Sequence, residues 1–94
     1  MDEIKYTILY HPEIQKDIAP FPRDIKARIH KAIEQKLLRD PLKFGEPLKR
    51  SLRGYRKMRV GDYRVIYRIE SNEIFVLKIG HRREIYRKDR RDEF

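Results

Sequence analysis

Residues 59–69 read "RVGDYRVIYRI", and the fold turns on how that stretch is read. Tyr63, Val65, Tyr67 and Ile69 alternate with Arg64, Ile66 and Arg68. Successive side chains of a strand point to opposite faces, so each set shares one face of a sheet. The first face is apolar and reads as core. The second carries two arginines, with Lys57 and Arg59 just upstream.

The flanking sequence places this strand in a meander. Gly61-Asp62 and Ser71-Asn72 are tight connections, which gives strands over about 55–60, 63–70 and 73–80. "IFVLKIG" (74–80) is nearly all apolar, as a central strand buried on both faces should be. Upstream, "PLKFGEPLKRSLRG" (41–54) is a loop punctuated by Pro41, Gly45, Pro47 and Gly54. From Arg23 to Arg39 the period is helical: Ile25, Ile29, Ala32, Ile33 and Leu37 form one apolar stripe. Asp40-Pro41 ends that helix, because the residue before a proline avoids the helical region. A shorter helix should begin with Pro12 at its first position and bury Ile14 and Ile18, until Pro20 and Pro22 stop it. "IKYTILY" (4–10) is β-branched and aromatic, hence a first strand.

The order β-α-α-β-β-β predicts an α+β fold. Two N-terminal helices should pack on one face of a small, mostly antiparallel sheet, leaving an open basic face opposite. Residues 1–94 are expected to form a single domain, with 87–94 as a short helix or tail.

Charge is concentrated where this face would lie. Of the formal net charge of +9, +7 falls within residues 49–68, where eight Lys and Arg stand against Asp62 alone. Such clustering repels itself unless a polyanion is the partner, which favours nucleic acid. The first 48 residues, by contrast, intersperse both signs. The chain has no cysteine, so a disulfide framework, a zinc–thiolate site and a thiol nucleophile are all excluded. No apolar run approaches the roughly 20 residues of a membrane span. "MDEIKYTILYHPE" lacks the basic start and clean apolar stretch of a signal peptide, so the expected location is cytoplasmic.

The residues suggest chemistry without a metal or other cofactor. No metal-ligand spacing, carboxylate pair, serine triad or glycine-rich phosphate loop occurs. Of the three histidines, His11 reads as a helix-start residue and His30 sits off the apolar stripe. His81 ends the last strand beside Arg82 and Arg83. Cleaving RNA without a metal needs a proton acceptor, a proton donor for the leaving group and positive charge at the scissile phosphate. Arg, Lys, Tyr and His can supply all three.

"LKRSLRGYRKMRVGDYRVIYRI", an apolar strand and then "GHRREIYR" together resemble the second half of the RelE/ParE superfamily, the toxins of type II toxin–antitoxin pairs. The coarse element order is similar too. RelE-type members cut messenger RNA in the ribosomal A site without metal. ParE-type members share the fold but poison DNA gyrase.

The resemblance implies catalytic roles for Arg64 at the scissile phosphate, Arg82 at the leaving group and Tyr86 in base stacking or proton transfer. Lys57 matches a family lysine, His81 matches a position where some relatives use histidine, and the general base lies among Lys57, His81 and Tyr86. Arg53, Arg56, Arg59, Arg68 and Arg83 would hold RNA phosphates. Two departures stand out: Tyr55 replaces a second family lysine, and the Arg82–Tyr86 spacing is short. The implied partners are a cognate acidic antitoxin, mRNA, the ribosome and, through the antitoxin, operator DNA. The alternatives are a gyrase-inhibiting toxin without nuclease activity and a non-catalytic basic nucleic-acid-binding module.

Overall fold

The computed structural model of the chain describes residues 5–49, 52–87, 89 and 91. In chain order these form β1 (Thr7–Tyr10), α1 (Ile14–Ile18), α2 (Arg23–Ala32), β2 (Glu46–Pro47), β3 (Arg56–Val60), β4 (Tyr63–Glu70) and β5 (Glu73–His81). The strands make one sheet in the order β1-β5-β4-β3-β2; β1 runs parallel to β5 and the other pairs are antiparallel. The fold is α+β, as the sequence implies. Both hairpin turns fall where expected, with Gly61 at φ 61° and Ser71 at φ 54°.

Three elements differ from the sequence reading. The loop over 41–54 contributes β2, which pairs with β3 through Glu46↔Lys57 and Pro47↔Arg56. A proline is tolerated there because β2 is an edge strand. The first helix starts at Ile14 rather than Pro12; before it, His11 Nδ1 accepts the Glu13 amide at 3.0 Å, which confirms His11 at the helix start. Beyond Ala32 the long helix continues as a wider turn over Ile33–Leu37, in which the Leu38 amide reaches back to the Ile33 carbonyl at 2.9 Å. That five-residue step is a π turn, and it keeps both Ile33 and Leu37 buried.

The main core lies between the helices and one face of the sheet. Ile14, Ile29, Ile33 and Leu37 pack against Met58, Val65, Tyr67, Ile74, Val76 and Ile79. Tyr67 is fully buried, and its hydroxyl donates to the Pro41 carbonyl at 2.7 Å. Burial raises the Tyr67 phenol, and Arg56 nearby pulls the other way. A Cβ on Gly45 would lie 1.8 Å from the Tyr67 hydroxyl, so this glycine is required for close approach.

The opposite face is only partly open. Between Arg64 and Arg68, Ile66 is fully buried in a second cluster with Tyr55, Leu77 and Ile85, bordered by Leu48, Leu52 and Phe75. A bulge brings Leu77 into this cluster: Ile66 faces Lys78 and Tyr67 faces Val76, so Leu77 is the extra residue.

β1 ends before β5 does. Past Val76, whose carbonyl takes the His11 amide, that edge of β5 has no strand neighbour among the described residues. Side chains fill the gap. Asp17 Oδ2 accepts the Ile79 amide at 3.1 Å, and Arg91 Nη1 donates to the Leu77 carbonyl at 3.1 Å. The two side chains also pair with each other at 2.7 and 3.0 Å. Desolvation alone would lower the Arg91 guanidinium, but its bonds to Asp17 and Asp89 raise it above its ordinary range. At Asp89 burial opposes ionisation, yet Arg91 prevails and holds the carboxyl below its ordinary range. The expected helix or tail over 87–94 falls largely outside the described residues; Arg87, Asp89 and Arg91 are the members described.

Two outcomes follow from this ion pair. Arg91→Ala would strand the Asp17 carboxylate, which is 14% exposed, and should cost about 3 kcal/mol in a urea melt; wild-type stability would contradict the pairing. Asp89 has the lower carboxyl pKa in the folded chain, so it binds fewer protons folded than unfolded. Its stabilisation is full above about pH 4 and fades as pH falls through the folded value. Asp89→Asn should therefore flatten the acid limb of Tm against pH.

Candidate functional site

The β3–β4 register builds the site. On the face away from the helices Arg59 lies directly opposite Arg64, and Lys57 lies opposite Ile66. Like charges in direct register are unfavourable, and each arginine leans toward a different neutraliser. Arg59 Nη2 lies 3.7 Å from Glu46 Oε1. Arg64 turns to the hairpin instead: its Nη1 donates to the Gly61 carbonyl at 2.9 Å and to the Tyr63 carbonyl at 2.8 Å. Its Nε and Nη2 have no partner among the described residues. One nitrogen thus anchors the guanidinium while a two-donor edge stays free, the geometry a phosphate accepts bidentately.

Next to this pair stands a second group. Lys57 Nζ lies 3.9 Å from Glu46 Oε1 and 5.8 Å from the centroid of the Tyr86 ring. Tyr86 is itself 45% exposed. Its position derives from Ile85, which is buried in the second cluster and packs over bare Gly80; a Cβ there would lie 3.1 Å from Ile85 Cδ1. Gly80 is in turn the β5 partner of Arg64. The apolar floor and the charged face are therefore built as one unit.

Arg82 is held at the hairpin. Its amide donates to the Asp62 carbonyl at 2.8 Å, and its Nε lies 3.7 Å from Asp62 Oδ1. That places it beside the turn whose Gly61 carbonyl anchors Arg64.

Of the remaining residues, His81 and Arg56 lie on the other side of the sheet. His81 pairs in register with Tyr63, so it belongs to the helix side of the sheet. Its ring meets Tyr63 edge-on at 5.5 Å, and its Nδ1 accepts the Arg83 amide at 3.2 Å. His81 is thus separated from Lys57 and Arg64 by the sheet. Arg56 also corrects the reading: it lies opposite Tyr67 on the helix side, and its Nη2 donates to the Leu42 and Gly45 carbonyls at 3.0 and 2.8 Å. It ties the 42–45 loop to the sheet, on the side away from Arg64. Arg68 shares the Arg64 face but stacks over Tyr55 and Phe75 at 5.6 and 5.1 Å, with Glu70 at 3.8 Å. Arg53 and Arg83 are exposed. Tyr55, standing where a family lysine was expected, is buried as part of the floor.

Sequence reasoning missed Glu46 and Gly80. The signal for Glu46 was available, as an isolated acid ("FGEPLKR") entering the basic segment. Among the described residues, no helix is long and apolar enough to cross a membrane.

The family described as the ParE toxin of type II toxin–antitoxin systems, parDE, matches residues 8–86. The chain belongs to this toxin family. Within it the toxin is RelE-like. It is 35% identical over 85 residues to Toxin RelG of Mycobacterium tuberculosis, covering 88% of this chain and 98% of that protein. It is 30% identical over 88 residues to Toxin RelE of the same organism, covering 92% and 91%. Among solved structures it is similar to the toxin–antitoxin complex RelBE2 of M. tuberculosis, with TM-score 0.77, 31% identity and 83% and 99% of the two chains covered. The RelB–RelE antitoxin–toxin complex of Methanococcus jannaschii gives TM-score 0.65 at 26% identity, covering 83% and 94%.

Proposed function

We propose that the toxin is a metal-independent endoribonuclease that cuts messenger RNA in the ribosomal A site. The free Nε/Nη2 edge of Arg64, held beside Arg59 and next to Lys57 and Tyr86, is the observation that carries this reading. In the reaction, the ribose 2′-oxygen attacks the adjacent phosphorus in line. A 2′-O–P bond forms and the P–O5′ bond breaks. The 2′-hydroxyl proton passes to a base and the departing 5′-oxygen gains a proton, leaving a 2′,3′-cyclic phosphate and a 5′-hydroxyl. Arg64 and Arg59 neutralise charge on the non-bridging oxygens, since a guanidinium does not deprotonate in proteins and cannot act as base. Lys57, Tyr86 and Glu46 are the ionisable groups gathered there to move protons. Arg82 stands at the hairpin end of the same face to support the leaving group. His81, on the helix side, takes no part.

A cognate antitoxin is the natural second partner. The relatives named above are toxins, and both solved structures among them are toxin–antitoxin complexes. A segment covering the Lys57–Arg64 face would have to carry acids, because burying these cations uncompensated is costly.

The test is single-turnover cleavage of an mRNA on programmed ribosomes. Arg64→Ala should lower the rate by about 10²–10³, the usual loss for a preorganised donor. Arg64→Lys keeps the charge but loses the fork, so it should recover only part of that. Arg68→Ala, removing a stacked arginine, should cost less than about tenfold. Cleavage at the wild-type rate by Arg64→Ala would overturn the reading; intact RNA with DNA gyrase inhibited would favour the ParE-type activity.

A further inference from the structure

Charges that alternate in sign along the first half of the chain are sorted by the helix. Arg28, Lys31, Ala32, Gln35 and Lys36 recur at helical spacing and face the end of β3. With Arg59, Val60 and Gly61 they line a groove of about 370 Å³, with no carboxylate among the described residues that line it. Among the described residues Arg28, Lys31 and Lys36 have no acidic partner within ion-pair distance, and all three are exposed. Glu34, the acid nearest in sequence to Lys31 and Lys36, is paired with His30 instead.

The groove joins the site at one end and an aromatic ring at the other. Arg59 belongs to both groove and site. A Cβ on Gly61 would lie 3.2 Å from Arg28 Nη2, so Arg28 lies against the same turn that anchors Arg64. At the far end Lys36 Nζ lies 6.0 Å from the Phe44 centroid, and Lys43 Nζ lies 5.4 Å from it. Phe44 is 36% exposed. Cations that track a backbone, ending at an exposed ring flanked by lysines, are the elements by which proteins hold single-stranded nucleic acid.

We infer that this groove is a second RNA-binding surface: Arg28, Lys31 and Lys36 take phosphates of nucleotides flanking the one bound at Arg64, and Phe44 stacks a base. The inference rests on the RNA reading of the Arg64 face, though not on cleavage there. An acidic protein segment is the competing occupant. Exposed Phe44 argues for RNA, since a ring between two lysines offers a base a stacking partner and its phosphates charge.

The test is fluorescence anisotropy of 2′-O-methylated single-stranded RNAs, which lack the attacking hydroxyl, at lengths of ~4 and ~20 nucleotides across a salt series. Arg28→Gln/Lys31→Gln/Lys36→Gln should weaken the long RNA and lower the slope of log affinity against log salt by about 2, three contacts at ~0.7 each. Affinity for the short RNA should not change. Phe44→Ala should weaken the long RNA about tenfold while leaving the slope intact. Thermal melts of both variants should match wild type, because the altered side chains are exposed. An unchanged slope in the triple variant overturns the inference. So does retained RNA binding with loss of binding to polyglutamate, which would assign the groove to a protein. If the slope falls as expected while wild-type toxin cuts no RNA, the groove stands and the nuclease reading falls.

Discussion

Slipping β4 by one residue would exchange Val65 and Tyr67, both fully buried, for Arg64 and Arg68 beneath the helices. The register of this strand is therefore the constraint on which the rest depends. The hydrophobic side sets it, and the Gly61-Asp62 turn locks it to β3. Once it is set, Arg64 must face Arg59 on the other side. That pairing sets like charges side by side, offset at Arg59 by Glu46, and it places two cations where a phosphate could bridge them. The core on one face thus dictates the electrostatics of the other.

The site's remaining parts are brought in by contacts remote in sequence. Glu46 arrives on a two-residue edge strand, and Tyr86 is carried by Ile85 onto the apolar floor around Ile66. The same C-terminal segment is tied at its far end by Arg91 to Asp17 of α1, which together bond the β5 edge that β1 leaves uncovered. Burial of the second cluster and this ion pair are two separate restraints on the residues around Tyr86. Positioning of a candidate catalytic ring is here a property of sheet-edge completion as well as local packing.

The parts legible in the sequence were those that local periodicity encodes. The alternation of β4, the two hairpin turns and the stripe from Ile25 to Leu37 all emerge from neighbours a few residues apart. What was illegible depends on where a long side chain turns. Arg56 is in strand phase with Tyr67, so it points to the helix side and grips the 42–45 loop. His81 is in phase with Tyr63, which removes it from the Arg64 face although it is adjacent to Arg82 in sequence. The balanced charge of residues 1–48 concealed the groove along α2, because a helix separates signs that a linear count mixes. Asp17 and Arg91, 74 residues apart, carry no local signal of their pairing.

The central claim is that this arginine face performs in-line transfer to a 2′-oxygen. The termini of the RNA products report that chemistry directly. RNA cut by the purified toxin on programmed ribosomes, with the ends identified enzymatically, should carry a 5′-hydroxyl at every cut, opposite a 2′,3′-cyclic phosphate or the 3′-phosphate that its hydrolysis leaves. Fragments bearing 5′-phosphate and 3′-hydroxyl ends would mean that water attacked in place of the ribose, and would contradict the account.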